Sequence, residues 1–258
     1  MNLSLAAPRR RIPTIDHQPQ TGRLSVTAQR RPNSQRPPKL SKIESLASAS
    51  YLAKTALFAQ WAPHALKGFQ ALAASAFAPG ALSVKEKELI AFGCAHVLRC
   101  PYCIDYHHGL ATRSGATRTE LVEALWVGVS VAANGPLAHA AIAMRLLNEE
   151  TPNTYYQAGG HPVERAALAS VLPAPMQAFD ALHDTTFAAG ALSAHFKTLI
   201  AVACAHNLRC AFSIERYVAQ ALAQDQARAA IAEAIFIAVE MAAGACFGHA
   251  GLAAALME

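Results

Sequence analysis

Residues 81–110 read ALSVKEKELIAFGCAHVLRCPYCIDYHHGL, and residues 191–220 read ALSAHFKTLIAVACAHNLRCAFSIERYVAQ. The two stretches are one unit written twice, offset by 110 residues. Ala81-Leu82-Ser83 returns as Ala191-Leu192-Ser193, Cys94-Ala95-His96 as Cys204-Ala205-His206, and Leu98-Arg99-Cys100 as Leu208-Arg209-Cys210. The same offset pairs Phe69 with Phe179, Phe77 with Phe187 and His139 with His249, without a gap. A constant spacing over so many positions marks a tandem duplication.

The unit reads as helices. Ser83 and Glu86 form a capping box, and Leu89, Ile90, Phe92 and Val97 follow at helical spacing, which predicts a helix from Val84 to Leu98. Pro101 suits the first position of the next helix, where its missing N–H would be unpaired anyway, and Gly115 closes that helix. Thr117 and Glu120 open a third helix through Leu121, Leu125, Val129 and Val131. Asn134-Gly135-Pro136 then reads as a turn before a final helix from Leu137 to Leu147. Residues 43–62 read as a further amphipathic helix. No stretch alternates apolar and polar residues over strand length, so the fold class is all-α. The two tandem helical repeats are placed at 43–150 and 164–258, with a linker at 151–163 carrying Pro152, Gly159 and Gly160.

With 53% apolar residues the chain has ample material for a buried core. Charge is unevenly spread. Residues 1–42 hold nine lysines and arginines against Asp16 alone, a net +8 that leaves −3 for the remainder of a chain totalling +5. The basic character belongs to this tail and predicts no nucleic-acid groove on the body. Six prolines and few large apolar residues predict that the tail is disordered. The cytoplasm is the expected compartment. An organelle is the alternative if the Arg-rich, acid-poor tail is a transit peptide, a pattern its prolines interrupt. The most apolar stretch, Ala229 to Leu256, is broken by Glu233 and Glu240, so no membrane span is expected. The six cysteines of this large, alanine-rich chain point to thiol chemistry rather than to a secreted disulfide framework.

In Cys100-Pro101-Tyr102-Cys103 two thiols stand three residues apart on a first helical turn, close enough to form a disulfide. Unpaired N–H groups and the macrodipole favour a thiolate there. Cys103 and His107, four apart, share one helical face and form a nucleophile-plus-base arrangement. Glu88 lies on the preceding helix. It would fix the tautomer of His107 and raise its basicity, in direct contact or through a water.

Glu88, Cys100, Cys103 and His107 at this spacing resemble the signature of the alkylhydroperoxidase D-like branch of the carboxymuconolactone decarboxylase superfamily. The similarity runs to about Leu147. The resemblance implies an all-helical fold assembled as trimers or hexamers, and reduction of hydroperoxides through a cysteine disulfide cycle. It implies that Cys103 is the peroxidatic cysteine, oxidised to a sulfenic acid, that Cys100 resolves it, and that Glu88 and His107 relay the proton. No bound cofactor is expected. An external dithiol would reduce the pair, and in relatives a lipoyl-carrying partner does so. Some family members place a histidine between the cysteines where this chain has Tyr102, and His108 is read as solvent-facing.

In the second repeat Thr198, Cys210, Ser213 and Tyr217 stand at the positions of Glu88, Cys100, Cys103 and His107. That half reads as a structural copy, supplying a packing surface that a second subunit would otherwise provide. Cys94, Cys204 and Cys246 read as buried core thiols, and His96, His206, His139 and His249 as hydrogen-bonded structural groups. A zinc site on Cys100, Cys103 and His107 is the rival for the dithiol, but it lacks a second ligand pair and leaves Glu88 without a role. A thioredoxin-like fold would need βαβ units. The alternative function classes are a non-redox lactone decarboxylase-like enzyme and a non-catalytic oligomeric scaffold, neither of which needs two vicinal thiols.

Overall fold

The computed structural model describes residues 53–147 and 162–257, within the unit spanning Glu44–Glu258. The tail at 1–42, residues 43–52 and most of the linker predicted at 151–163 lie outside the described residues. A 3-10 turn at Thr55–Leu57 precedes ten helices. They are α1 (Phe58–Trp61), α2 (Pro63–Phe77), α3 (Val84–Val97), α4 (Pro101–Arg113), α5 (Arg118–Leu147), α6 (Pro162–Val171), α7 (Pro173–Phe187), α8 (Ala194–Leu208), α9 (Ala211–Ala223) and α10 (Arg228–Met257). Among the described residues there is no strand, and the all-α expectation holds.

The helix starts follow their local chemistry. The Glu86 N–H donates to Ser83 Oγ at 3.3 Å, and the Ser83 N–H donates to Glu86 Oε2 at 2.8 Å, which launches α3. Thr117 and Glu120 repeat the box at 3.2 and 2.7 Å at the head of α5. Pro101 is the first residue of α4, and Gly115, at φ +87°, follows that helix's C-cap Ser114.

Three sequence expectations are corrected. The described part of 43–62 is not one regular α-helix, because a 3-10 turn at Thr55–Leu57 interrupts it; it does end at Ala62 (φ −145°, ψ 59°), as expected, and the chain restarts at Pro63, because a residue before proline avoids the α region. The 15-residue α2 that follows begins ahead of the first repeated phenylalanine. Leu172 and Pro173 make the same break and restart before α7, so the repeat reaches upstream to the prolines. The second correction is Asn134-Gly135-Pro136, which is not a turn; α5 runs through it for 30 residues with Pro136 inside. The Asn134 side chain is held by hydrogen bonds to Ser213 and Arg216, and such packing overrides the local breaker. Thirdly, Cys246 is exposed rather than in the core, whereas Cys94 and Cys204 are fully buried as read.

The two repeats are joined by exchange of their long helices. α5 of the first packs on α8 and α9 of the second, and α10 of the second packs on α3 and α4 of the first. Glu233 on α10 accepts the N–H groups of Ala81 and Leu82 at 2.8 and 3.0 Å and pairs with Lys87 at 3.1 Å. Glu123 on α5 does the same for Ala191, Leu192 and Lys197, at 2.9, 2.9 and 3.0 Å. A Cβ on Gly80 would stand 2.2 Å from Glu233 Oε1, and one on Gly190 2.4 Å from Glu123 Oε1, so both clamps need glycine. Such mutual contacts characterise a two-fold interface between identical subunits; here one chain makes them with itself. At the centre α3 crosses α8, with Ile90, Ala91 and Cys94 against Ile200, Ala203 and Cys204, all fully buried. α5 and α10 are each long and apolar enough to cross a membrane by length and composition, with 44% and 39% of their most apolar windows buried inside the protein.

Candidate active site at the head of α4

Arg99 adopts a left-handed backbone (φ 54°) that turns the chain out of α3 and leaves Cys100 as the N-cap of α4. Its sulfur accepts the Cys103 N–H at 3.2 Å, as a serine or aspartate oxygen does at other helix starts. Cys100 is 1% exposed and Cys103 6%. The Cys100 thiol is pushed down to about 6. The hydrogen bond from the Cys103 thiol outweighs burial, and the Cys103 and Tyr102 N–H groups and the neighbouring His249 add to it. Cys103 is pushed up in turn, because its proton is held toward Cys100 and its surroundings are buried. Within the pair the proton is favoured on Cys103 and negative charge on Cys100.

Glu88 and His107 meet directly. His107 Nδ1 lies 2.8 Å from Glu88 Oε2, both side chains buried. A carboxylate oxygen accepts, so Nδ1–H is the donor of this bond and Nε2 is the ring nitrogen left for other partners. The imidazole is stacked on Phe77 (5.5 Å, 19°) and edge-on to Tyr106 (5.2 Å, 87°), which fixes its plane. His108 is exposed, as the sequence reading had it.

Cys103, His107 and Glu88 line a cavity of 490 Å³ whose other walls are largely apolar, including Phe69, Phe77, Leu110 and Phe247. Cys100 does not line it. α10 of the second repeat closes the opposite side. A Cβ at Gly248 would lie 3.2 Å from Tyr102 Cβ and 3.8 Å from Cys100 Sγ, so glycine permits this close approach. His249, one residue on, packs edge-on to Tyr102 at 5.0 Å and donates Nδ1–H to Ala245 O at 2.7 Å. The sequence reading missed three polar groups of the cavity, Asp105, Tyr106 and Glu240, of which only Glu240 is buried. Glu240 of α10 lines the same cavity, 5% exposed. Burial pushes its carboxyl above the usual carboxylate range; the charge of His107 opposes this and that of Glu88 adds to it. An acid in the most apolar helix of the chain, with no partner in its own sequence neighbourhood, was the available signal. It served only as an argument against a membrane span.

In the second half Cys210 holds the N-cap position of α9, but its sulfur makes no cap bond to a backbone N–H; it accepts from Ser213 Oγ at 3.2 Å and stands 3.5 Å from His139 Nε2. Tyr217 stacks on Phe187 (5.6 Å, 14°) as His107 does on Phe77. The cavity positions have changed character. Ala73, Tyr106, Leu110 and Gly244 correspond to His183, Arg216, Gln220 and Asn134. Arg216 donates to Asn134 Oδ1 and to His183 Nε2, both at 3.1 Å, Asn134 donates to Ser213 at 3.0 Å, and Gln220 donates to Thr198 at 3.3 Å. His96 and His206 donate Nδ1–H to the carbonyls of Phe92 and Val202, each at 2.7 Å, and are structural. Among the described residues no cluster of three or more histidines, cysteines and acids is arranged to hold a metal ion.

The fold and site define a tandem pair of helical repeats in which one keeps a thiol and acid–base cluster and the other has lost it. Profiles of known families place that architecture: the carboxymuconolactone decarboxylase family matches residues 63–146 and again residues 173–256. The chain belongs to this family. An uncharacterised protein of the cox locus of Paracoccus denitrificans is 44% identical over 81 residues, covering 31% of this chain and 73% of the relative. An uncharacterised protein of Cupriavidus necator is 32% identical over 82 residues, covering 32% of this chain and 73% of the relative. Both alignments are about one repeat long. No solved structure matches the chain.

Proposed function

We propose that this protein is a thiol-dependent hydroperoxide reductase working through the Cys100–Cys103 pair. The observation that carries the reading is the division of labour between the two sulfurs: Cys103 faces the cavity beside His107, while Cys100 sits behind it at a helix N-cap with its thiol lowered to about 6. A peroxide in the cavity reaches Cys103. His107 Nε2 takes the Cys103 proton, with Glu88 balancing the imidazolium that forms. The thiolate attacks the terminal peroxide oxygen, the O–O bond breaks, and Cys103 becomes a sulfenic acid as the alcohol leaves. Cys100, already ionised, then attacks the Cys103 sulfur and expels water after protonation, leaving a disulfide. The apolar walls suit an organic hydroperoxide. An external dithiol, small or lipoyl-borne, returns the pair to the reduced state, and the protein works in a reducing compartment as a homo-oligomer.

The test is to add cumene hydroperoxide to the reduced full-length chain, count free thiols, and map the disulfide by mass spectrometry. Loss of two thiols with a Cys100–Cys103 link supports the reading. Unchanged thiols under excess peroxide overturn it.

A further inference from the structure

We propose that Glu240, brought into the site by the second repeat, is the acid that protonates the oxygen leaving from the peroxide. The inference rests on the reductase reading and adds a catalytic residue to it. Three observations place Glu240 there. It lines the same cavity as Cys103 and His107, on the wall facing α4. It is 95% buried by residue surface, being 5% exposed. Its Oε2 has no hydrogen-bond partner among the described residues, although Glu233, one repeat of the helix face away on α10, makes three.

A carboxyl with no structural partner in an apolar surround is costly, and the fold does not need one at this place. The matching residue, on α5 of the first repeat, is Ser130, also buried and without a hydrogen-bond partner for its hydroxyl, but neutral and much smaller. Glu88 is already bonded to His107, so the two carboxyls have different duties: one orients the base, the other is free to give a proton. Burial raises the Glu240 carboxyl above the usual carboxylate range, the direction that favours proton donation.

The step balances. A Cys103 lone pair forms the S–O bond to the terminal oxygen of ROOH, and the O–O electron pair departs with the RO oxygen. Sulfur is oxidised to the sulfenic acid and the peroxide is reduced. Glu240 delivers its proton to that oxygen, giving ROH. The proton that His107 took from Cys103 then restores Glu240.

The experiment compares the parent with Glu240→Gln, full length and reduced, on two oxidants that differ in leaving group. Cumene hydroperoxide releases a strongly basic alkoxide that needs a proton; peroxybenzoic acid releases a carboxylate that does not. Sulfenic-acid formation with cumene hydroperoxide should slow by about 10²-fold in the variant, a typical loss for a general acid. With peroxybenzoic acid it should change by no more than a few-fold. Equal losses on both oxidants, or no loss on either, overturn the role of Glu240 and leave the reductase reading standing. A parent that consumes neither oxidant overturns the reductase reading and this inference with it. Should Glu240→Gln fail to fold, Glu240→Ser carries the same comparison, since the long helix of the first repeat has serine at the matching position, Ser130.

Discussion

The two half-sites share a backbone and differ in what the side chains leave room for. Cys100 and Cys210 are both N-caps, preceded by left-handed Arg99 and Arg209, and both are overlaid by the long helix of the opposite repeat. In the first half, small or apolar residues at Ala73, Leu110 and Gly244 leave a cavity in front of Cys103. In the second, His183, Gln220 and Asn134 stand there and join Arg216 in a hydrogen-bonded network that ties up Ser213 and Thr198. The difference teaches that the fold tolerates this site but does not require it. With no thiol, histidine or carboxylate at the positions of Cys103, His107 and Glu88, the surrounding side chains of the second half satisfy one another. The second repeat is part of the first half's cavity all the same, because its α10 supplies the wall that carries Glu240 and Gly248.

The largest effect should separate the halves outright. Cys103→Ser is expected to abolish peroxide consumption, while Cys100→Ser stops turnover and still lets a sulfenic acid form on Cys103. A trapping reagent followed by peptide mapping reads this directly, and a sulfenic acid found on Cys100 reverses the two roles. Next in size are His107→Phe and Glu88→Gln, which should slow sulfenic-acid formation by roughly 10²- to 10⁴-fold through lost proton transfer.

The charge on the pair is a separate measurement. Reduced protein should show thiolate ultraviolet absorbance with a midpoint near pH 6, and Cys100→Ser should remove that transition. Because the folded value lies below the ordinary thiol value, the ionised cap contributes stability above the thiol's usual range and loses it as pH falls through about 6. A transition that survives in Cys100→Ser and disappears in Cys103→Ser would place the charge on the wrong sulfur.

The clamps sharpen the comparison further. Glu233→Ala and Glu123→Ala each strand two backbone N–H groups and leave a buried lysine, Lys87 or Lys197, without its carboxylate though still bonded to a backbone carbonyl, and each should cost about 1–3 kcal/mol in a denaturant titration. Only Glu233→Ala loosens the wall of the working site, so only it should lower peroxide turnover as well. Burial opposes ionisation of both acids, but their N–H donors and lysines outweigh it and hold both carboxyls below the usual range. The clamp contribution is then complete above about pH 4.3 and disappears as pH falls through the lower folded values.

Much of this was legible in the sequence, for identifiable reasons. Caps are local, so Ser83–Glu86, Thr117–Glu120, Pro101 and Gly115 set helix ends where they were read. The 110-residue offset announced two matching halves, and the Glu88, Cys100, Cys103 and His107 spacing brought Glu88 onto His107. The helix exchange was not legible. α10 is apolar around its whole girth, which says that it packs but not against which repeat. The continuity of α5 through Pro136 depends on Asn134 reaching Ser213 and Arg216, 79 and 82 residues away, and no local pattern carries that. Glu240 was hidden for the same reason, since its neighbours in space belong to the other repeat.

The smallest expected effect concerns the silent half, and it decides whether that half is silent. Cys210 is an N-cap like Cys100, but the group three residues on is Ser213, whose hydroxyl donates to the sulfur and cannot form a disulfide with it. Tyr217 replaces the histidine, and burial, opposed by Arg216, pushes its phenol up to about 12, so it takes no proton near neutrality. A sulfenic acid on Cys210 would have no thiol three residues on to resolve it, and no histidine at the place of His107; the imidazole beside it is His139, from α5. Cys210→Ser in the full-length protein should keep peroxide turnover within a few-fold of the parent under the same reducing dithiol. Its cost should appear in stability, at about 1 kcal/mol, as is usual when one buried group is replaced by a slightly smaller polar one. A loss as deep as that of Cys103→Ser would show that electrons pass between the two caps and that the halves form a single site.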